Sequence, residues 1–172
     1  MALLLPAMLA ITIAIRLDSQ GPALFRQRRA GRGSSEFTIY KFRTMATGTP
    51  DVATHLLDPR ERRITRVGGV LRRTSLDELP QLWNILIGDM SLVGPRPALF
   101  NQSDLIEMRR DAHIDLLRPG LTGLAQIRGR DELDLELKVR YDREYLDRCS
   151  MRTDTEIIVR TFATLVSARG AN

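Results

Sequence analysis

The sequence predicts a helix-rich α+β fold with one small β-hairpin, and three observations support this prediction. The chain begins with an apolar segment, residues 1–15, that contains no charged side chain. Residues 37–42 alternate as the two faces of a strand do, and Gly31 and Gly33 precede them as suitable turn residues. From about residue 64 onward, apolar residues recur mostly at the spacing of amphipathic helices.

The composition indicates one globular domain with a basic surface. A chain of 172 residues is long enough to bury a core, and 43% hydrophobic with 27% charged residues is typical of a folded protein. The net charge of +5 favours an anionic partner, namely a phosphate-bearing substrate, an anionic lipid surface or a nucleic acid. Cys149 is the only cysteine, so we expect no intrachain disulfide and a reducing compartment.

Two interpretations of the N-terminal apolar segment remain open. As a helix, fifteen residues span only ~22 Å, whereas the hydrocarbon core of a bilayer is about 30 Å thick, so we do not expect a comfortable crossing. Pro6 is expected to interrupt the hydrogen-bond ladder of such a helix. The segment is then either a buried core helix or a re-entrant helix that dips into the membrane and bends at Pro6. In the re-entrant case the first arm would be largely missing from this sequence, because only five residues precede Pro6.

The other elements follow in order along the chain. A turn at residues 19–22 leads into the hairpin, and a loop follows it at residues 46–58. The arginine-rich segment 60–73 acquires helical periodicity in its second half. "GPRP", residues 94–97, is expected to form a stiff corner, and the glycine-punctuated stretch 118–130 a loop. Helices are predicted for four further segments: 78–87, 98–112, 133–149 and 153–168.

The stretch "TSLDELPQLWNILIGDMSLVGPRP" places two adjacent acids, Asp77 and Glu78, between arginines. One interpretation is structural: Asp77 caps the helix that follows, because Pro80 then falls in the first turn, where N–H groups are free. The other is functional, since the N-terminus of a helix favours anions and the acids would then handle a phosphate together with a metal. The local pattern alone does not separate these two interpretations.

Electrostatics favours the functional interpretation of the acid pair. Two carboxylates ~5 Å apart at an effective dielectric constant near 20 repel by roughly 3 kcal/mol, so a shared cleft needs a proton, an arginine or a metal there. Mg²⁺ usually binds through one or two carboxylates plus substrate phosphates. A carboxylate can also act as the nucleophile in an aspartyl-phosphate type of mechanism. The acids, the arginines and the apolar segment therefore fit phosphoryl transfer onto or from a lipid.

Other chemistries lack their motifs in this sequence. There is no Walker loop, no CxxC pair and no GxSxG. His55 and His113 stand in unrelated contexts, and Cys149 is expected to be a buried structural thiol rather than a nucleophile. With 5% aromatic residues and no recognition motif, we expect no nucleic-acid partner.

Three long blocks carry a resemblance to a known family: "LDSQGPALFRQRRAGRGSSEFTIYKFRTM", "ITRVGGVLRRTSLDELPQLWNILIGDMSLVGPRP" and "RPGLTGLAQIRGR". The chain resembles the bacterial sugar transferases that initiate polysaccharide and glycoconjugate assembly, the monotopic polyprenyl-phosphate phosphoglycosyl transferases. The resemblance covers essentially the whole chain. Two departures are the glutamine of "DSQGP", where the family commonly has proline, and the Leu5-Pro6 pair at the expected helix break.

The resemblance implies a reaction and a location. Members transfer a sugar-1-phosphate from a UDP-sugar to a polyprenyl (undecaprenyl) phosphate and release UMP, with Mg²⁺ as cofactor. This is the first membrane step of exopolysaccharide, capsule, O-antigen or glycoconjugate assembly. The implied location is the cytoplasmic face of the bacterial inner membrane, in contact with its lipid, and homo-oligomerisation is left open.

The resemblance also implies a domain layout. Residues 1–17 would form a re-entrant (monotopic) membrane helix with its first arm truncated. Residues 18–172 would form the cytosolic catalytic phosphoglycosyl transferase domain, with the small β-hairpin and amphipathic interfacial helices.

Seven positions match the residues that do the family's chemistry. The Asp-Glu dyad matches Asp77 and Glu78; Asp77 would attack the β-phosphate and hold a covalent phosphosugar, while Glu78 would place Mg²⁺. The implied substrate-binding residues are the lysine of "YKFRTM", two arginines that grip phosphate oxygens and two pocket residues, namely Lys41, Arg72, Arg96, Gln81 and Arg118.

Two other functions remain as alternatives. A non-catalytic membrane-surface scaffold with a basic face would bind lipid without Mg²⁺ and would release no UMP from any donor. An RNA-binding module would bind RNA with a steep dependence on salt. The acid pair beside "LPQL" and "GPRP" favours the enzyme over both.

Overall fold

The computed structural model describes residues 4–50, 63–129 and 133–166. Within them the helices are α1 (Leu5–Asp18), α2 (Arg66–Thr74), α3 (Gln81–Leu86), α4 (Ser103–Asp111), α5 (Leu124–Arg128), α6 (Leu135–Asp147) and α7 (Met151–Val166). The strands are β1 (Leu24–Ala30), β2 (Glu36–Phe42), β3 (Ser91–Val93) and β4 (Gly120–Thr122). Short 3₁₀ turns lie at Arg32–Ser34, Leu76–Glu78 and Ile114–Leu116. The predicted α+β class is confirmed.

The predicted hairpin is present as the antiparallel pair β1–β2. Arg26 lies opposite Tyr40 and Ala30 opposite Glu36 in its register. Gly33 adopts a φ of 65° in the connecting turn, a conformation in which glycine carries no steric penalty. The hairpin places Lys41 near the C-terminal end of β2, one residue before the strand ends at Phe42.

A second, parallel pair of strands was not predicted. The stretch 118–130 was expected to be a loop, and that expectation is wrong, because β4 and α5 lie within it. β4 pairs with β3, and a Cβ built on Gly120 would stand 2.1 Å from the backbone nitrogen of Gly94. Strands of three residues are too short to show an alternating pattern, so the sequence does not reveal them. They form where two distant segments of backbone approach each other closely.

Two clusters of buried apolar residues support these elements. The first joins α1, the hairpin and α2 through Ile15, Ala23, Phe42 and Leu71. The second joins β3, α5, α6 and α7, and consists of Val93, Leu124, Tyr145 and Ile157. Sequence periodicity identified Leu71, Tyr145 and Ile157 as apolar helix positions, and all three are buried.

Helix α1 differs from the expectation in one respect. Pro6 does not interrupt it, because the helix begins at Leu5 and proline occupies its first turn, where no N–H is needed. Ile15 is buried against the first cluster, while Leu9 and Leu17 are exposed. Among the helices of residues 4–50, 63–129 and 133–166, none is long and apolar enough to cross a membrane. A re-entrant bend remains a prediction.

The region of the acid pair also differs from the expectation. A helix over 78–87 was predicted; the structure has a 3₁₀ turn at Leu76–Glu78 and a shorter helix that begins at Gln81. Asp77 is not its cap, since Pro80 occupies the N-cap position without a side-chain hydrogen bond.

Helix α4 begins five residues later than predicted, at Ser103 rather than at residue 98. The intervening chain pairs with β1 instead: the amide of Ala30 donates to the carbonyl of Ala98 at 2.9 Å, and Leu99 bridges to Arg29. Helices α6 and α7 match their predicted segments to within two residues. Most of the loop predicted at 46–58, with His55, lies outside the described residues. Cys149 was expected to be buried, and that expectation is wrong, because it lies exposed just after the end of α6.

Candidate active site

A cavity of about 940 Å³ collects most of the residues that the sequence singled out. β2, α2, the 3₁₀ turn and the "GPRP" corner contribute Lys41, Arg72, Asp77, Glu78 and Arg96 to its lining. The five residues come from three separate stretches of the chain, around residues 41, 72–78 and 96. Their convergence on one cavity is what a site for an anionic substrate requires.

A single carboxylate oxygen of Glu78 forms ion pairs with two cationic side chains. Its Oε1 lies 2.8 Å from the Nζ of Lys41 and 3.2 Å from Nη2 of Arg96. Burial by itself would raise the pKa of Glu78, but the charges and hydrogen bonds of Lys41 and Arg96 outweigh it and hold this pKa well below its usual range. Glu78 is therefore an anion at any physiological pH.

Asp77 experiences the opposite balance of forces. Burial raises the pKa of this carboxyl above its usual value, and the negative charge of Glu78 raises it further. The charges of Lys41, Arg72 and Arg96 offset only part of that rise. The ionised Asp77 carboxylate is thus poorly solvated and poorly neutralised, a state that favours reaction with an electrophile or binding of a cation.

Strand β2 and helix α3 fix Lys41 relative to the acids through Asn84, which is completely buried. Its Oδ1 accepts the amide of Tyr40 at 3.2 Å, and its Nδ2 donates to the carbonyl of Thr38 at 2.7 Å. The side chain thus bonds to the edge of β2 as a neighbouring strand would. Because α3 directly follows the turn with the acids, this contact sets the spacing of Lys41 and Glu78.

Helix α2 delivers Arg72 to the cavity by packing very closely on the chain after the hairpin. A Cβ built on Gly68 would stand 2.1 Å from the carbonyl oxygen of Thr44, so only glycine permits this approach. One turn later on the same side of the helix, Nε of Arg72 donates to Oγ1 of Thr44 at 2.8 Å. The helix N-terminus is held by Thr65, whose Oγ1 accepts the Gly68 amide at 3.0 Å.

Gln81 and Arg118 are not brought to this cavity. Gln81 is 2% exposed, and its Nε2 has no hydrogen-bond partner among the described residues. Arg118 is exposed, and its carbonyl oxygen lies against Gly94. Their implied roles in binding stay predictions.

The sequence did not point to several other polar residues that line the cavity. Among them are Arg29 on β1, Thr44 after the hairpin, Arg73 on α2, and Gln126 on α5. Arg29 and Arg73 sit in arginine-rich runs in which no local signal marks one arginine among its neighbours. Thr44 and Gln126 belong to the resembling blocks, but they reach the cavity only through tertiary contacts.

No group of three or more His, Cys, Asp or Glu side chains in the described parts of the chain is arranged to hold a metal ion. Among the residues that the structure describes, Asp77 and Glu78 are the acidic residues that line the cavity. Lys41 and Arg96 both contact Oε1 of Glu78. Such a donor set suits a cation that also binds substrate phosphate.

Comparison with known proteins agrees with this arrangement. The family profile described as "Bacterial sugar transferase" matches residues 1–168. The UDP-glucose:undecaprenyl-phosphate glucose-1-phosphate transferase of Caulobacter vibrioides is 43% identical over 99% of this chain and 66% of its own length. An uncharacterised sugar transferase of Bacillus subtilis is 42% identical over 92% of this chain and 78% of its own length.

A more distant relative is longer. The UDP-N-acetylgalactosamine-undecaprenyl-phosphate N-acetylgalactosaminephosphotransferase of Aeromonas hydrophila is 37% identical over 96% of this chain, which spans 40% of that protein. The three matches each cover between 92% and 99% of this chain. By a match over nearly its whole length, the chain belongs to the bacterial sugar transferase family.

Proposed function

We propose that the protein transfers a sugar-1-phosphate from a UDP-sugar to polyprenyl (undecaprenyl) phosphate and releases UMP. The observation that carries the proposal is the cavity in which Asp77 and Glu78 face three cationic side chains. Cations suit the phosphates of both substrates, and a carboxylate with a raised pKa suits attack on phosphorus. The names of the Caulobacter and Aeromonas relatives support the same pair of substrate classes.

The proposed reaction has two displacements at one phosphorus atom. In the first, an oxygen of the Asp77 carboxylate bonds to the β-phosphorus of the UDP-sugar, and the bond from that phosphorus to the bridging oxygen breaks. The bridging oxygen and its electron pair leave with UMP, so Asp77 carries the sugar phosphate as an acyl phosphate. In the second, an oxygen of the polyprenyl phosphate bonds to the same phosphorus, and the carboxylate of Asp77 is released.

The cationic residues have separate tasks in this proposal. Arg72 and Arg96 hold phosphate oxygens and balance the charge that shifts to the leaving group. Lys41 is kept in place by Glu78 and adds positive charge at the same end of the cavity. Mg²⁺, held by Glu78 and Asp77 together with substrate phosphate, would neutralise charge on the transferring phosphoryl group when bound.

The location in the proposal follows from the acceptor. A polyprenyl chain stays in lipid while its phosphate must meet a water-soluble donor, so the cavity has to lie at a membrane surface. Exposed apolar residues of α1, among them Leu9, Ile13 and Leu17, offer a lipid contact, and arginines suit anionic headgroups. We place the protein at the cytoplasmic face of the inner membrane, at the first membrane step of polysaccharide or glycoconjugate assembly.

The test is the release of UMP from a panel of UDP-sugars in the presence of undecaprenyl phosphate. The wild-type protein should release UMP with at least one donor, and Asp77→Asn should lower the rate by at least 10³-fold, since an amide is a poor nucleophile. Asp104→Asn, which changes an exposed aspartate on α4, is the matched control and should keep the wild-type rate.

Mass spectrometry of the wild-type protein incubated with donor alone should detect a sugar-phosphate adduct at Asp77. Near-normal turnover by Asp77→Asn would refute the covalent mechanism while leaving the reaction itself in place. If the wild-type protein released no UMP from any donor yet bound lipid, the membrane-surface scaffold would replace the transferase.

A further inference from the structure

The "GPRP" corner, residues 94–97, carries Arg96 and is held in place by hydrogen bonds from other elements of the fold. Pro95 and Pro97 have no N–H, so the corner has few donors with which to bond to itself. Its carbonyl oxygens instead accept hydrogen bonds from three different elements: Gly120 N to Pro95 O at 2.9 Å, Arg109 Nη1 to Arg96 O at 2.8 Å, and Arg29 Nη1 to Pro97 O at 2.9 Å. The direction in which Arg96 projects therefore depends on these donors.

Arg109, on α4, is itself fixed by an ion pair with Asp142 on α6. Its Nε and Nη2 both contact Oδ2 of Asp142, at 3.0 and 2.6 Å. The pair is nearly dry, because the side chains of Arg109 and Asp142 are only 11% and 2% exposed. Removing two charges from water costs free energy, which their attraction offsets only when the geometry of the pair is good. Rotation of the Arg109 guanidinium would lose this geometry, so its freedom to rotate is small.

We propose that Arg109 is a positioning residue for the transferase reaction: oriented by Asp142, it holds the backbone of Arg96 so that the Arg96 side chain faces the acid pair. The inference rests on the proposed function, in which Arg96 contacts phosphate. Arg109 is not among the residues that line the cavity, so it acts through Arg96 rather than on substrate. Through Arg96, the position of Arg109 also affects Glu78, whose Oε1 lies 3.2 Å from Nη2 of Arg96.

The geometry also explains why an arginine stands at position 109. One planar guanidinium can direct Nε and Nη2 at a carboxylate while Nη1 points away to a carbonyl. A lysine could keep the charge pair with Asp142, but its single nitrogen on a flexible stem cannot hold both partners in that fixed arrangement. Arg109→Lys therefore distinguishes two roles of Arg109. It keeps the ion pair with Asp142, which stabilises the fold, and removes the contact that positions Arg96.

Arg143 provides a matched control for this substitution. It also pairs with an acid, Asp147, at 2.9 Å, and donates from Nη1 to a backbone carbonyl, that of Ala112, at 2.9 Å. Neither Arg143 nor Ala112 lines the cavity. Arg109→Lys should lower kcat/KM for UMP release about tenfold, whereas Arg143→Lys should change it less than twofold. Both variants should remain folded at the assay temperature, and thermal denaturation checks this.

A double-mutant cycle distinguishes positioning from a general structural role. In an Arg96→Lys background, Arg109→Lys should reduce kcat/KM by less than a further twofold, because the residue through which it acts is already altered. A merely structural contribution would instead multiply, giving the same tenfold loss in both backgrounds. That result, or equal kinetics of Arg109→Lys and Arg143→Lys, would overturn the inference.

Hydrogen–deuterium exchange of the peptide that contains Arg96 supplies a readout that does not depend on turnover. Exchange there should be faster in Arg109→Lys than in wild type or Arg143→Lys. If the wild-type protein released no UMP, the proposed function would fail, while the exchange data would still decide the positioning contact. Unchanged exchange in Arg109→Lys would contradict the inference even if the wild-type protein were active.

Discussion

Two neighbouring carboxyls of the same chemistry lie in opposite electrostatic environments. Burial would raise the pKa of Glu78, but Lys41 and Arg96 hold it well below the usual range. Burial raises the pKa of Asp77, and the same cations offset this only partly. When two titratable groups are driven apart in this way, they are suited to different tasks. Glu78 suits a permanent charge that organises cations, and Asp77 suits a reactive group.

The raised pKa of Asp77 predicts that Asp77→Asn stabilises the protein at neutral pH while removing its activity. Below the ordinary aspartate pKa of 3.8 the carboxyl is protonated in both folded and unfolded states, and its stabilising contribution is complete. As the pH rises, the unfolded state ionises first, so this contribution is lost by the time the pH passes the folded pKa. Asparagine avoids that loss because it does not ionise.

Urea denaturation at a series of pH values from about 4 to 8 measures this difference in the free energy of unfolding. The advantage of Asp77→Asn over wild type should grow as the pH rises. An Asp77→Asn protein that is less stable than wild type at pH 7 would show that the ionised carboxylate is well neutralised, contrary to the environment described here.

At the scale of the elements, the site depends on close approach rather than on long helices. Helix α2 meets the chain after the hairpin where Gly68 lies against Thr44, and helix α3, six residues long, is joined to β2 by Asn84. Each contact links an element that carries a predicted site residue to one that carries another. The relative positions of Lys41, Arg72 and Glu78 therefore depend on two small residues with no direct part in the chemistry.

Gly68→Ala should destabilise the protein by about 1–3 kcal/mol, since its new methyl group would overlap the carbonyl of Thr44. It should also slow UMP release, because α2 must shift and Arg72 loses its bond to Thr44. The adjacent Gly69→Ala is the matched control: a Cβ there meets nothing within 4 Å. As an open position within a helix, it should gain about 0.5–1 kcal/mol.

Thermal and urea denaturation of the two variants measure these effects. The opposite signs expected at adjacent glycines make the comparison insensitive to general effects of helix propensity. If Gly68→Ala proved as stable as Gly69→Ala, the close packing of α2 on Thr44 would not exist in solution.

At the scale of the whole molecule, α1 has one face packed against the protein and one face exposed. Ile15 is 1% exposed and packs in the cluster that joins α1 to the hairpin and α2. Ile13, two residues earlier, is 52% exposed and belongs to a stripe at four-residue spacing with Leu5, Leu9 and Leu17. One face therefore attaches the helix to the protein, and the other is available to lipid.

The same substitution at these two positions should separate folding from lipid contact. Ile15→Ala should cost about 2–5 kcal/mol of folding free energy, as is usual for a fully buried isoleucine. Ile13→Ala should change stability by no more than about 0.5 kcal/mol but weaken binding to anionic vesicles several-fold, because it removes apolar surface from the stripe.

Urea denaturation and co-sedimentation with vesicles of undecaprenyl phosphate and anionic phospholipid measure the two effects. Unchanged vesicle binding by Ile13→Ala, and by a variant with Leu9 also replaced by alanine, would show that the stripe does not contact lipid. The proposed location at the membrane would then need another surface.

The sequence by itself determined the elements that carry a long periodic pattern, and it determined the acid pair. The hairpin, α2, α6 and α7 were predicted because apolar alternation or helical spacing records burial directly. Asp77 and Glu78 stood out because adjacent acids between arginines are costly without a partner. Lys41, Arg72 and Arg96 were assigned by resemblance, and all three line the cavity with the acids.

Only the tertiary structure decided what local pattern does not encode. Strands β3 and β4 and helix α5 are three to five residues long, so they exist through contacts with distant backbone rather than through their own periodicity. The start of the helix after the acids was misplaced, because the acids lie in a 3₁₀ turn that local periodicity does not distinguish from a first helical turn. Arg29 and Arg109 look like any other arginine in the sequence; only folding brings their guanidinium groups to the carbonyls of Pro97 and Arg96.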